Sequence, residues 1–334
     1  MRMKATERRI TIGRKATFLM CFLLLTALLS GCSENKSAAD TNSPIPGKTS
    51  PALSNENAEK EETEMDHVEN NTDQNQQQQV IYLWDEGNVP TTTEYTENNS
   101  GYFDPPDFRP NMVYFPAKQG VEVKGAVLIC AGGAFQFRSD KIEGTPVAEH
   151  LSELGYQSFV VNYRLRPFTL QEGALDLARA VRHVRSRAEN YGIDQNDIAV
   201  MGFSAGGIIA GELLLNFDGF VDGNAIDPSY VPDELDKISA DASAVGMIYS
   251  FYGRLSVAST DVEKFKTSDL PPAYFLYGTR DPFVSQFEAC VDALQQANVT
   301  VESHALQDWP HGFGAADGNW ILDFDKWLTG IFEK

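Results

Sequence analysis

Ile198-Ala199-Val200-Met201-Gly202-Phe203-Ser204-Ala205-Gly206-Gly207-Ile208-Ile209-Ala210 is the stretch on which the reading of this chain turns. An apolar run over 198–202 predicts a buried strand, and the run over 208–215 predicts a helix. Between them stands G-x-S-x-G. Glycines two before and two after the serine permit a sharp, strained turn that lifts the Ser204 hydroxyl above the sheet edge. The helix that follows aims its N-terminal N–H groups at developing negative charge. The motif alone recurs by chance, but its strand, turn and helix setting is what the chemistry of an activated serine requires.

Outward from that stretch, apolar strand-like runs alternate with helical patterns, which predicts an α/β fold with a mostly parallel sheet. Strands are expected at 112–115, 126–130, 157–162, 244–249, 273–278 and 299–306. Helices are expected at 146–154, around Leu177 to Ala188, around Phe287 to Leu294, and at 320–332. Residues 80–334 are enough for one large core and few enough for one domain.

A serine hydroxyl needs a base within hydrogen-bonding reach. Of the five histidines, His67 lies in a polar N-terminal stretch, His150 and His183 sit on predicted helices before the serine, and His304 lies within the last strand. His311 alone occupies a glycine-flanked loop, Trp309-Pro310-His311-Gly312-Phe313, after that strand and is taken as the base. The acid that orients it should lie between serine and histidine at a strand end. Asp281, in the turn Gly278-Thr279-Arg280-Asp281-Pro282, meets this, and Asp308 is its rival. The loop Ala131-Gly132-Gly133-Ala134-Phe135 leaves the strand at 126–130. It predicts an oxyanion hole made by the backbone N–H groups of Gly133 and Ala134 with that of Ala205.

In order and spacing, Cys130-Ala131-Gly132-Gly133-Ala134-Phe135, Asn162-Tyr163-Arg164-Leu165, Gly202-Phe203-Ser204-Ala205-Gly206-Gly207, Asp281-Pro282-Phe283-Val284 and His311-Gly312-Phe313 resemble the α/β-hydrolases of the acetyl esterase and acetylxylan esterase-like (BD-FAE-like) branch. Leu83-Trp84 through Val89-Pro90 resembles that branch's opening segment. The resemblance implies an α/β-hydrolase fold with helices on both faces of the central sheet. It also implies a Ser204, Asp281, His311 triad that hydrolyses carboxylic esters without cofactor or metal. Relatives usually carry a third consecutive glycine where this chain has Ala134, and the added methyl is expected to narrow the acyl side of the pocket. Phe251 to Pro272 is only 22 residues, too few for a large lid. Short-chain esters, small or polymer-bound, are therefore the expected substrates. Phe135, Phe137, Tyr252 and Phe313 are the expected pocket aromatics. A serine peptidase of the prolyl-oligopeptidase type would use the same triad, but no propeller repeats precede the domain. A surface-displayed binding protein on a hydrolase scaffold would not need an intact triad.

The N-terminus carries a different message. Six basic residues precede an apolar run over 18–29, shorter than the ~20 residues a spanning helix needs. The run ends in Leu29-Ser30-Gly31-Cys32, which resembles the lipobox of bacterial lipoproteins. That resemblance implies a signal peptide at 1–31, lipid on Cys32, and an exported chain anchored to the membrane. From Ser33 to Gln79 there is no aromatic residue and polar residues dominate, the composition of a disordered tether. Six of the 27 Lys and Arg and one of the 47 Asp and Glu fall within 1–31, so the chain beyond it carries about −25. Such a charge repels nucleic acid and anionic headgroups, which leaves the lipid as the membrane contact. Cys130 and Cys290 remain, expected as buried free thiols, and no C-x-x-C or Cys/His cluster suggests a metal. The sequence leaves the oligomeric state open.

Overall fold

The computed structural model describes residues 79–316 and 318–333. The signal peptide, Cys32 and all of the tether but Gln79 lie outside them. An eight-stranded sheet runs in the order β1-β2-β4-β3-β5-β6-β9-β10. Its strands are β1 (Gln79–Tyr82), β2 (Asn111–Phe115), β3 (Gly125–Cys130), β4 (Tyr156–Asn162), β5 (Ile198–Phe203), β6 (Ala244–Ile248), β9 (Ala273–Gly278) and β10 (Val301–Leu306). The first two pairings, β1 with β2 and β2 with β4, are antiparallel, and the remaining five are parallel. Continuous burial of β3, β5, β6 and β9 explains why they read as unbroken apolar runs rather than alternating ones.

Among the described residues, six longer helices accompany the sheet, α1 (Thr145–Glu153), α2 (Leu170–Ser186), α3 (Ala205–Asn216), α4 (Val262–Thr267), α5 (Val284–Gln296) and α6 (Asn319–Phe332), with one further helical turn at Ala188–Tyr191. Helix α1 packs against α6 and α2 against α3, covering both faces. Thr169 opens α2 with a capping box in which its side chain takes the N–H of Glu172 and the Glu172 carboxylate takes the N–H of Thr169. Such a cap is worth about 1 kcal/mol. Cys130 and Cys290 are buried free thiols, as expected.

The structure departs from the sequence reading at element ends and in short pieces. Strand β6 stops at Ile248, one residue before the expected end, because Tyr249 turns to a φ of 38° and leaves the pleat. Strand β1 begins at Gln79, inside the stretch assigned to the tether. A hairpin of β7 (Gly253–Arg254) and β8 (Val257–Ala258), followed by α4, is the only lid-like insertion among the described residues. No described helix is long and apolar enough to cross a membrane.

Parallel pairing is what assembles the site. The residues that follow β3, β5, β6, β9 and β10 all emerge at the carboxyl edge of one sheet, where open α/β sheets bind their ligands.

Candidate active site

Ser204 leaves β5 with φ 48° and ψ −118°, a conformation disfavoured for any residue with a Cβ. Neighbours hold it there: its N–H donates to the Ile248 carbonyl at 3.1 Å, and its carbonyl accepts the Ser250 hydroxyl at 2.7 Å. The flanking glycines are required for close approach. A Cβ on Gly202 would lie 2.3 Å from the Gly207 backbone, and one on Gly206 would lie 2.0 Å from the Cys130 carbonyl oxygen.

His311 contacts the serine, and Asp281 contacts His311. His311 Nε2 lies 2.9 Å from Ser204 Oγ, and Nδ1 lies 2.6 Å from Asp281 Oδ2. The other carboxylate oxygen of Asp281 accepts the Phe283 N–H at 2.9 Å, which fixes its plane. The Asp281 side chain is wholly buried, while the imidazole keeps 30% of its surface in solvent. An acceptor-only carboxylate on Nδ1 requires the proton there and leaves Nε2 free to accept from the hydroxyl. Asp308 is exposed and bonds to the Thr279 and Gln307 side chains, away from the imidazole.

The loop after β3 carries more strain. Gly133, Ala134 and Phe135 all have positive φ, at 128°, 54° and 61°. The loop is anchored at three points: the Tyr163 hydroxyl donates to the Ala131 carbonyl at 2.7 Å, the Arg166 N–H to the Phe135 carbonyl at 2.9 Å, and the Gly132 N–H to Glu143 Oε2 at 2.6 Å. Among the described residues no acceptor takes the N–H groups of Gly133, Ala134 or Ala205. The loop lies against the serine, since a Cβ on Gly132 would stand 2.9 Å from Ser204 Cβ. These are free donors beside a nucleophile, the ingredients of a site that stabilises an oxyanion.

Ser204 lines one cavity, and a second lies beyond Leu255, which lines both. The smaller, about 20 Å³, is walled by Ile208, Tyr249, Phe251, Leu255, Phe283 and His311. The larger, about 280 Å³, runs past Phe135, Arg166, Phe168 and Arg254, and Leu255 at the tip of the β7–β8 hairpin divides the two. The pocket expectations therefore need correction. Phe135 lines the larger cavity, but Tyr252 and Phe313 line neither. Tyr252 is fully buried against Phe265, and Phe313 packs edge-on to Tyr249 and Trp309. Strand β6 has ended at Ile248, so no pleat carries on to these positions, and Phe251 rather than Tyr252 lines the cavity with the serine. Phe137 and Ala134 also line neither of these two cavities.

Two residues that the sequence reading passed over lie behind the site. The Tyr249 ring stands edge-on to the imidazole at 4.8 Å between centroids, and its hydroxyl donates to Glu143 Oε1 at 2.7 Å. Among the described residues no group of three or more His, Cys, Asp and Glu side chains is placed to hold a metal ion.

Residues 112–280 match the model of the BD-FAE family, a span holding the β3 loop and Ser204 but ending one residue before Asp281. The chain is 31% identical over 134 residues to endo-1,4-β-xylanase B of Butyrivibrio fibrisolvens, covering 39% of this chain and 21% of that protein. It is 37% identical over 82 residues to the acetylxylan esterase of Xylanibacter ruminicola, covering 25% and 17%. The chain thus spans a minor part of the length of the curated relatives it matches. An acetyl ester-xyloside bifunctional hydrolase from Caldicellulosiruptor lactoaceticus superposes with a TM-score of 0.58 at 24% identity, over 76% of this chain and 96% of that one, a likeness of fold. With just over half its residues matched by the family's model, on the sheet order and serine turn described above, the chain belongs to the BD-FAE family and has the α/β-hydrolase fold.

Proposed function

We propose that this protein is a serine carboxylic ester hydrolase that removes short acyl groups, acetyl foremost, from the alcohols of carbohydrates. The observation that carries the reading is the chain of contacts Ser204 Oγ to His311 Nε2 at 2.9 Å and His311 Nδ1 to Asp281 at 2.6 Å. In this reading Ser204 Oγ attacks the ester carbonyl carbon while His311 Nε2 takes its proton. The N–H groups of Gly133, Ala134 and Ala205 hold the oxyanion, each worth ~2.7–4 kcal/mol. Collapse breaks the bond to the alcohol oxygen, which leaves with the proton from His311. Water then repeats the sequence on the acyl-enzyme, releasing the carboxylic acid and restoring Ser204. Asp281 holds the imidazole tautomer and balances the imidazolium.

Cavity size supports short acyl groups. A volume near 20 Å³ has room for little more than one water-sized group, which suits a methyl. The larger, open cavity suits a bulkier alcohol such as a sugar. Assays with p-nitrophenyl acetate, butyrate and octanoate, an acetylated xylo-oligosaccharide and a peptide p-nitroanilide test this. Expected are kcat/KM falling from acetyl to butyryl, negligible octanoyl turnover, deacetylation of the oligosaccharide and no amide cleavage. Leu255→Ala should raise butyryl turnover ~10-fold or more, since one methylene is worth ~1–3 kcal/mol, and Ala134→Gly should leave the profile unchanged. A profile peaking at octanoyl, or amide cleavage outpacing ester cleavage, would overturn the reading. We also propose lipid attachment at Cys32 and an extracytoplasmic, membrane-anchored location. Cys32→Ser should abolish fatty-acid labelling and membrane association in a bacterial host, and a wild-type chain without lipid would refute this.

A further inference from the structure

Glu143 stands where three parts of the site converge. It belongs to a π-helical turn, Asp140–Gly144, that separates the β3 loop from α1, and it is 4% exposed. Turns of this type are rare and gather at functional sites. One carboxylate oxygen accepts the N–H of Gly132, at the root of the oxyanion loop, at 2.6 Å. The other accepts the Tyr249 hydroxyl at 2.7 Å, and that hydroxyl in turn accepts the Gly314 N–H, three residues beyond His311, at 3.1 Å. The neighbouring Ile142 carbonyl accepts the Ala315 N–H at 2.9 Å. A single buried carboxylate thus ties the oxyanion loop, the end of β6 and the histidine loop together.

Burying a carboxylate costs several kcal/mol unless partners stabilise the ion. Around Glu143 stand the Gly132 N–H, the Tyr249 and Tyr163 hydroxyls, Asp140 on its own turn, and His311 across the Tyr249 ring. Burial raises its carboxyl above the usual range, Asp140 adds to the rise, and Tyr249, Gly132 and His311 offset it only in part. His311 is faced by Ser204, Asp281, Tyr249 and Phe283. A fixed negative charge near the imidazole helps most when the imidazole is charged, in the two proton-transfer transition states.

We propose that Glu143 is a positioning residue for the ester hydrolysis proposed above: its ionised carboxylate sets the register of the oxyanion loop against the His311 loop and stabilises the imidazolium. The claim rests on that functional reading. It also assigns the Gly132 N–H to Glu143, which leaves Gly133, Ala134 and Ala205 as the oxyanion donors.

The test is the pH dependence of kcat and kcat/KM with p-nitrophenyl acetate for the wild type, Glu143→Gln and Glu143→Asp. Glu143→Gln keeps the shape and removes the charge. It should lower kcat about 10- to 100-fold with KM nearly unchanged. Its acid limb should move to lower pH, because the buried anion that favours positive charge in the site is gone. Glu143→Asp keeps the charge on a shorter arm, so the limb should stay in place while kcat falls. Should Glu143→Gln fail to fold, Tyr249→Phe tests the positioning alone, since it removes the bonds to both Glu143 and Gly314 and keeps the carboxylate: kcat about tenfold lower with the limb unmoved. A folded Glu143→Gln with the wild-type limb, or wild-type kcat in Glu143→Asp or Tyr249→Phe, would overturn the proposal. A wild type inactive on the ester would instead overturn the functional reading.

Discussion

At the carboxyl edge of β3, β5 and β6 the chain tolerates strain: Ala134, Phe135, Ser204 and Tyr249 all hold positive φ, and three backbone donors wait without acceptors. Along α2, one layer away, the buried carboxylates and guanidiniums are paired, and His183 Nδ1 is the buried polar atom of that helix left without a partner among the described residues. Asp176, fully buried, takes both guanidinium contacts and the backbone N–H of Arg164 together with the Trp84 indole N–H. Glu172 gathers hydroxyl and N–H donors from Thr91, Thr92, Thr93 and Thr169. Arg179 and Arg182 pair with Asp233 and Asp236 and reach the carbonyls of Leu83, Gly219, Val221 and Ile238. The two regions divide the labour. The edge keeps groups under-satisfied so that a substrate can complete them, and the α2 face straps residues 83–93 and 219–238 to the core so that the edge can stay strained.

That division can be broken at either end. At the edge, Ser204→Ala and His311→Ala should each lower kcat by ~10³–10⁶ while the urea midpoint stays near that of the wild type, since triad members act as one unit. Loss of folding in both variants would show that the edge is structural. On the α2 face, Asp176→Ala leaves Arg164 buried without its anion. Breaking such a pair costs ~3–5 kcal/mol, to be read from urea unfolding, with kcat of the folded fraction within about threefold of wild type. A large kcat loss with unchanged stability would erase the distinction between the regions.

A smaller effect sharpens the comparison through pH. Burial works against the Glu172 carboxylate, but the hydrogen bonds from Thr91, Thr169, Thr93 and Thr92 outweigh it and bring its pKa from 4.5 to about 2. A carboxyl lowered on folding adds stability above its unfolded pKa and loses it as pH falls through the folded one. Glu172→Gln should therefore cost roughly 2 kcal/mol at pH 6, after allowance for solvent screening, and progressively less toward pH 2. A deficit that is constant with pH would mean that the cap's shape, not its charge, is what matters.

Much of this was legible in the sequence because its signals are local or follow chain order. Unbroken apolar runs mark the central strands, glycine spacing marks the Ser204 turn, and parallel topology forces Asp281 and His311 to the same edge. What escaped depends on conformations that carry no residue signature. The π-helical turn holding Glu143 contains no proline and only its final Gly144 as a marker, and an acidic residue in a polar stretch reads as solvated. The left-handed turn at Tyr249 ends the strand, and beyond it Phe251 lines the serine's cavity where Tyr252 was expected. Leu255 and Phe283 reach the cavity only through the fold of a two-residue-strand hairpin and a helix start. The ion pairs of Arg179 and Arg182 join positions 54 to 57 residues apart, and Arg179 reaches the Leu83 carbonyl 96 residues away, beyond any local pattern.

The central claim is that Ser204 carries the acyl group, with His311 as its base. Rapid acid quench of the protein with excess p-nitrophenyl acetate, followed by peptide mass analysis, tests it most directly. The account predicts one acetyl group on the peptide containing Ser204, formed with a burst of p-nitrophenol of about one equivalent at pH values where His311 is neutral, and neither in Ser204→Ala. Turnover of the ester with no acetyl on that peptide, or an acetyl group on another residue that persists in Ser204→Ala, would contradict it.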